Sequence, residues 1–161
     1  MKRQTGFTLI ELMVVIGVLG ILAASGVAFQ QKYRQRTVGS EALVMMKQLL
    51  EGEIMYFLEH NEFLPKDVGA ANELWVYHDG GGTSAVDQQK VLDALKVAIP
   101  TGHLLDFRIY RLDLGAGYPD EERYPVGVDI TSAGNFNILP GFLGVRGTVN
   151  KRGTITGPDP F

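Results

Sequence analysis

One carboxylate near the start of a long apolar segment is the group in this sequence best placed to do chemistry. Glu11 is followed by an uncharged run from Leu12 to Phe29. A carboxylate in hydrocarbon is costly unless it is paired with a cation. Cleavage of the peptide bond after Gly6 frees an α-amino group on Phe7, four residues before Glu11. The pattern indicates a membrane-stored subunit built for assembly into something larger.

The apolar segment is long enough to cross a bilayer. Leu12 to Phe29 is 18 residues, or ~27 Å of helix. Lys2 and Arg3 precede it, so the positive-inside rule predicts a cytoplasmic N-terminus. One alternative is an ordinary signal peptide cut near residues 23–25, but its apolar stretch is typically ~7–15 residues long. Another alternative makes Glu11 an incidental interfacial carboxylate that the helix dipole favours.

Composition excludes several other classes of site. The 161-residue chain has no cysteine, which rules out disulfides and cysteine-based zinc sites. Residues 30–161 contain thirteen Lys and Arg against seventeen Asp and Glu, a formal charge of −4. That balance argues against a nucleic-acid-binding face. A basic cluster of Lys32, Arg34 and Arg36 directly follows the apolar run, and its position suits membrane headgroups better than DNA.

The residues around Gly6 form a specific motif. Lys-Arg-Gln-Thr-Gly is followed by Phe-Thr-Leu-Ile-Glu-Leu-Met-Val-Val over residues 2–15. This motif resembles the leader and mature start of type IV pilins and type II secretion pseudopilins, strongly over residues 1 to about 36. The resemblance implies that a prepilin peptidase cuts between Gly6 and Phe7 and N-methylates Phe7. It also implies that Glu11 pairs with the Phe7 amine of a neighbouring subunit, with Thr8 nearby.

The resemblance further implies a structural function without a cofactor or an enzymatic activity. The expected subunit waits in the inner membrane as a single-pass protein with its N-terminus in the cytoplasm. An assembly platform and an ATPase then move it into a helical homo- or hetero-filament, either a surface pilus or a periplasmic pseudopilus. A pseudopilin of a secretion or competence system is therefore the first alternative. A membrane-tethered enzyme is a remote one, because the sequence shows no catalytic constellation.

The second part of the chain predicts an α+β, type IV pilin-like fold. Apolar residues at steps of three and four predict one helix from about Thr8 to about Glu59, ended by Asn61 and Pro65. The stripe comprises Val38, Ala42, Met45, Leu49, Gly52 and Tyr56, widened by Met46, Leu50 and Phe57. The predicted divisions are a leader (1–6), a membrane and filament-core half-helix (7–29), an amphipathic half-helix (30–60), a loop with a short helix (61–104) and an antiparallel sheet of about four strands (105–161).

Local patterns predict the elements of the head. Thr83 or Ser84 caps a short helix near 85–98, and Trp75 to Tyr77 lie in a loop. The residues expected to face inward from this helix are Val86, Val91, Leu92, Leu95 and Ile99. Strands are predicted near 107–114, 124–131, 135–139, 143–149 and 153–156, with a turn at residues 150–153 joining the last two.

Four smaller features complete the prediction. Gly20, Ala24 and Ala28 recur every four residues, a spacing that lets parallel helices approach closely. Many type IV pilins have a proline where this chain has Ala28, so a straighter helix is expected here. Asp120 to Glu122 is interpreted as a solvated acidic loop rather than a calcium site. The three histidines (His60, His78 and His103) are too far apart in sequence to indicate a metal site.

Overall fold

The computed structural model describes residues 7–100, 102, 104–134 and 136–161. The predicted leader, including Gly6, Lys2 and Arg3, lies outside these residues, and so does His103. The chain divides into two compact units, one ending at Arg34 and the other comprising Gln35–Phe161. Helix α1, Leu9–His60, contributes to both units.

Helix α1 has well-defined ends. The carbonyl of Thr8 accepts the N–H of Leu12 at 3.3 Å, which closes the first turn. At the other end Asn61 adopts a left-handed backbone (φ 56°), and its N–H donates to the Phe57 carbonyl at 2.8 Å. Asparagine is one of the few residues that adopt this conformation readily. The predicted long helix and its termination at Asn61 are both confirmed.

One face of α1 forms half of the core in the second unit. The buried apolar side chains of this face include Val38, Ala42, Met45, Met46, Leu49 and Leu50, as the stripe predicts. Tyr56 and Phe57 pack against the core but are only partly buried. The sheet approaches α1 so closely that a Cβ added to Gly147 would lie 2.5 Å from the sulfur of Met46. Glycine at this position therefore allows the helix and the sheet to touch.

A sheet forms the other half of the core. Five strands are seen among the described residues: β1 Leu74–Val76, β2 Leu105–Arg111, β3 Val126–Ser132, β4 Gly144–Val149 and β5 Ile155–Pro160. They pair in sequence order, and every pair is antiparallel. The connections contain a 3-10 turn at Ala70–Asn72 and two helices, α2 Ser84–Leu95 and α3 Asp120–Arg123. The α+β fold is confirmed, with five strands rather than about four.

Alternation along the strands separates the two faces of the sheet. On β3, Val126, Val128 and Ile130 are completely buried on the core side. The register places Val128 opposite Ile109 of β2 and Ile130 opposite Phe107. Since side chains alternate between faces, the intervening residues of each strand point away from α1.

Several local predictions need correction. Residues 74–76 form strand β1 instead of a loop, and 135–139 contain no strand among their described residues, only a bridge between Leu139 and Phe142. On α2, Val86 and Leu92 are 60% and 39% exposed, so they do not face inward as predicted. Val91, Leu95 and Ile99 are buried as expected. The last strand is Ile155–Pro160, later than the predicted 153–156.

The two edge strands make different contacts on their outer sides. The N–H of Trp75 in β1 donates to Asp87 Oδ2 at 3.0 Å, and the N–H of Tyr77, directly after the end of β1, donates to Ser84 Oγ at 2.7 Å. Strand β5 pairs with β4. Beyond its end, Phe161 exchanges backbone hydrogen bonds with Gly144 at 3.1 and 3.2 Å. Pro158 and Pro160 lie within β5 and have no backbone N–H to donate.

Candidate functional site

The predicted assembly residues meet at the start of α1. Thr8 and Glu11 form a reciprocal capping box, in which each side chain bonds the other residue's backbone N–H. The N–H and the hydroxyl of Thr8 both donate to Glu11 Oε2 at 2.9 Å, and the N–H of Glu11 donates to Thr8 Oγ1 at 3.4 Å. Two backbone N–H groups that the helix leaves without partners are thereby satisfied.

The two carboxylate oxygens of Glu11 differ in their contacts. Within the described part of the chain, Glu11 Oε1 accepts no hydrogen bond, and both Glu11 and Thr8 are exposed. Phe7 is also exposed, at 87%. The structure therefore brings Thr8 and Glu11 into direct contact, next to Phe7. Their roles in processing and assembly remain predictions, and Gly6 lies outside the described residues.

The helix behind this site presents an uncovered apolar surface. Every large apolar side chain described between Leu9 and Phe29 is about half exposed or more. The helix is long and apolar enough to cross a bilayer, judged by length and composition. Apolar surface of this extent must be covered either by lipid or by other protein chains.

The small-residue stripe lies on this uncovered part of α1. A Cβ added to Gly20 would meet no atom within 4 Å, and Ala24 is exposed. Ala28 is within the α-helix, while its side chain is outside the described parts of the structure. Helix α1 continues without a break through residues 20–28. The close helix packing predicted from Gly20, Ala24 and Ala28 remains a prediction.

The head contains two ionisable groups that the sequence analysis did not identify, the buried carboxyl of Glu53 and the half-buried guanidinium of Arg111. Glu53 of α1 is completely buried and its Oε2 accepts the N–H of Leu64 at 3.0 Å. Arg111, at the end of β2, donates to the carbonyl of Lys66 at 3.3 Å and that of Tyr124 at 2.9 Å. Glu53 Oε1 and Arg111 Nε are buried and have no hydrogen-bond partner among the described residues.

Desolvation dominates the electrostatics of this pair. Burial raises the pKa of the Glu53 carboxyl to about 8, although the Leu64 N–H and the charge of Arg111 act in the opposite direction. Burial also lowers the pKa of the Arg111 guanidinium from its ordinary value. The two shifts have the same physical cause, and the mutual attraction of the two groups is too weak to cancel it. Glu53 is therefore mainly a neutral acid at neutral pH.

On the face of the sheet opposite α1, aromatic rings alternate with guanidinium groups. We call this set the cation–aromatic row. It runs in space through Trp75, Arg108, Tyr110, Arg146 and Phe161. The Arg108 guanidinium carbon lies 5.3 Å from the Trp75 ring centre and 4.3 Å from that of Tyr110. That of Arg146 lies 6.0 Å from Tyr110 and 4.9 Å from Phe161. These distances are typical of cation–π contacts.

Two carboxylates hold the cations of this row. Glu73 accepts two hydrogen bonds from Arg108, at 2.6 and 2.9 Å. Asp129, which is 5% exposed, accepts two from Arg146 at 2.7 and 2.9 Å and one from the Tyr110 hydroxyl at 3.0 Å. Bidentate pairs of this kind fix side-chain orientation. The charges of the row are therefore matched within it, which makes it a structural feature rather than an anion-binding site.

The acidic segment near residue 120 is also engaged. It forms the single turn α3, where Arg152 donates to Glu121 at 2.8 Å and forms an ion pair with Glu122 at 2.7 Å. No cluster of three metal-ligating side chains occurs among the described residues. Glu121 and Glu122 thus bind a side chain of the turn between β4 and β5. Asp120 and Glu121 are exposed, as the sequence suggested, but the segment is a helical turn and not a loop.

The comparisons with known proteins match only parts of the chain. Residues 1–27 match a family model described as a prokaryotic N-terminal methylation motif. A type IV major pilin protein PilE of Neisseria gonorrhoeae is 44% identical over 64 residues, which are 40% of this chain and 38% of that protein. A fimbrial protein of Neisseria meningitidis is 40% identical over 67 residues, covering 42% and 39%.

A longer match includes part of the head. A type IV major pilin protein PilA of Myxococcus xanthus is 31% identical over 100 residues, which are 61% of this chain and 46% of that protein. The chain thus spans less than half the length of these curated relatives. No solved structure matches it.

Proposed function

We propose that the protein is a structural subunit of a type IV pilus-like filament, because residues 1–27 match a prokaryotic N-terminal methylation motif and part of the chain is similar to type IV major pilins. It is stored in the inner membrane with its N-terminus in the cytoplasm, and it assembles after its leader is removed. A prepilin peptidase cuts between Gly6 and Phe7 and methylates the new Phe7 amine. The assembly platform and its ATPase then move the subunit into the filament.

The observation that carries this proposal is that the carboxylate of Glu11 uses one of its two oxygens for hydrogen bonds to Thr8. One of its oxygens caps the helix through Thr8, and the other has no partner among the described residues. The N-terminus of a helix carries a partial positive charge, and removal of the leader adds the charge of the Phe7 amine. The negative charge of Glu11 offsets both positive charges within its own chain. Its second oxygen can accept a hydrogen bond from the Phe7 amine of a neighbouring subunit.

The surroundings strengthen such a pair. Glu11 leads into an uncovered apolar helix, so the assembled site is surrounded by apolar side chains rather than water. Charge interactions are stronger at low dielectric, and an unpaired charge there is strongly disfavoured. The pairing therefore favours a fixed position of each new subunit along its neighbour, in which Glu11 meets the Phe7 amine. The stripe of Gly20, Ala24 and Ala28 allows the helices to approach closely enough for this contact.

The names of the relatives favour a pilus over a secretion pseudopilus. The matched proteins are named type IV major pilins and fimbrial proteins. A pilin is a structural protein, and the proposed function of this chain is accordingly structural and not enzymatic.

The decisive experiment separates capping by Glu11 from charge pairing by Glu11. Glu11→Gln keeps an acceptor for the Thr8 N–H, since glutamine also forms capping boxes, but it removes the negative charge. Glu11→Val removes both. We expect normal leader cleavage in both variants and a large loss of sheared filaments in both. Wild-type filament yield from Glu11→Gln would show that only capping matters and would refute the charge pair.

Processing is tested at the neighbouring position. Gly6→Leu places a large side chain at the cleavage point and should leave an unprocessed precursor of higher mass on a gel. Wild-type protein from the same strain gives the mature mass and serves as the control. Mature-sized protein from Gly6→Leu, with an N-terminal sequence beginning at Phe7, would contradict the assigned cleavage site.

A further inference from the structure

The cluster of Lys32, Arg34 and Arg36, here called the basic collar, is not used by the proposed assembly mechanism. It begins three residues after Phe29, the last residue of the uncharged run, or ~4.5 Å further along the helix axis. All three cations lie within α1 and are exposed. They end two residues before Val38, the first buried residue of the core.

We propose that the basic collar binds the phosphate groups of anionic phospholipids where α1 leaves the membrane. The proposal rests on the proposed storage of the chain in a membrane. It adds a lipid class and the residues that select it. Tyr33, which is 74% exposed, lies within the collar, and tyrosine is enriched at this depth of a bilayer because its ring is apolar and its hydroxyl is polar.

The distribution of the cations around the helix favours lipid over a one-sided partner. At about 100° per residue, Lys32 and Arg34 lie about 160° apart around the helix. These charges therefore lie on opposite sides of α1. Headgroups surround a membrane helix on every side, whereas duplex DNA or a folded protein contacts one face and would leave part of the collar unused.

The head carries a net negative charge, so the collar is the part of this region expected to be attracted to an anionic membrane surface. Between Glu11 and Glu41 the sequence has no carboxylate that could neutralise it. Residues 37–161 contain ten Lys and Arg and seventeen Asp and Glu, a formal charge of −7. An acidic head is repelled by an anionic surface, so any attraction to that surface must come from the collar. Each cation near such a surface contributes a preference of up to about fivefold, the equivalent of about 1 kcal/mol.

The chain contains no cysteine, which allows the lipid shell to be measured with one added label. Ser40 is exposed, and its Oγ donates to the local Thr37 carbonyl at 2.9 Å. Ser40→Cys therefore places a fluorescent donor about one turn beyond the collar. The labelled full-length chain is reconstituted in phosphatidylethanolamine–phosphatidylglycerol vesicles that contain a trace acceptor on phosphatidylglycerol or, in a parallel sample, on phosphatidylcholine.

The expected result is stronger energy transfer to the phosphatidylglycerol acceptor, declining as salt is raised. Combined replacement of Lys32, Arg34 and Arg36 by Gln should equalise the two acceptors. A matched control replaces three exposed lysines outside the collar by Gln and should keep the preference. These lysines are Lys47, Lys66 and Lys151.

Three outcomes would overturn the proposal. Equal transfer to both acceptors in the wild-type collar refutes lipid selection, and so does a preference that survives in the triple Gln variant. Loss of the preference on addition of a short DNA duplex at physiological salt would assign the collar to nucleic acid. Flotation of the same vesicles distinguishes failure of the lipid proposal from failure of the proposed membrane storage. A chain that floats with no vesicle refutes membrane storage itself.

Discussion

Substitution of Glu53 by glutamine should remove a large pH dependence from the stability of the head. In the unfolded chain the pKa of this carboxyl is near 4.5, whereas burial raises it to about 8 in the fold. The folded state therefore binds this proton more tightly than the unfolded state. The resulting stabilisation is fully present below about pH 4.5 and is lost as the pH rises through about 8.

The two pKa values set the size of the effect. Each pH unit in this window changes the free energy of unfolding by at most about 1.4 kcal/mol, so the whole window corresponds to about 5 kcal/mol. Glutamine retains an acceptor for the Leu64 N–H and is close to the neutral acid in shape. We therefore expect Glu53→Gln to match the wild-type protein near pH 5 and to exceed its stability progressively towards pH 8.

The measurement is urea unfolding of the full-length chain in detergent, followed by the fluorescence of Trp75. This residue is the single tryptophan, and it lies in β1 of the head. The difference between variant and wild type cancels the titration of all other groups. Glu51→Gln is the matched control, since Glu51 is on the same helix but its side chain is 55% exposed. Parallel pH profiles for wild type and Glu53→Gln would refute the assigned burial of a neutral acid.

Three further predictions use the same unfolding assay. Asp129→Ala removes two hydrogen bonds from Arg146 and one from Tyr110, and it should cost about 2 kcal/mol, because the Arg146 side chain is 46% exposed and water can replace part of the lost contact; an unchanged midpoint would mean that the pair is not formed. Gly147→Ala forces a methyl group against Met46 and should cost about 1–3 kcal/mol, and an unchanged midpoint would show that helix and sheet are further apart. Arg152→Gln breaks only exposed ion pairs and should leave the midpoint unchanged, so a clear decrease would assign the turn a structural role.

The elements with strong periodicity were predictable from the sequence. The stripe from Val38 to Leu50 follows the helical repeat, and β3 alternates through Val126, Val128 and Ile130, so each pattern has one physical interpretation. Strand β1 has only three residues, too few to show a period. It is fixed by tertiary contacts, among them the hydrogen bond from the Trp75 N–H to Asp87 on α2.

The buried polar groups were harder to predict because sequence patterns treat charge as a sign of exposure. Glu53 lies three residues after Leu50 on the buried face of α1, and this spacing was the available signal. The ion pairs of Asp129 with Arg108 and Arg146 have a clearer signal in the sequence, since opposite charges alternate on neighbouring strands. Using it requires the strand register, which only the folded sheet provides.

The capping box at the start of α1 is an intermediate case. A threonine followed three residues later by a glutamate, just before an apolar run, is a recognisable helix start. The motif therefore predicts the contact of Thr8 with Glu11. The motif does not reveal that Oε2 of Glu11 accepts both hydrogen bonds from Thr8, while Oε1 accepts none from the described residues.

The two edges of the sheet limit how these chains can associate. Unpaired strand edges recruit other strands and lead to cross-β aggregates. Here Ser84 and Asp87 occupy the outward N–H groups along β1, and Pro158 and Pro160 leave β5 without donors at alternate positions. Neither edge is a good template for another strand. In the proposed filament, assembly through the helix would therefore meet little competition from strand pairing between the edges of the sheets.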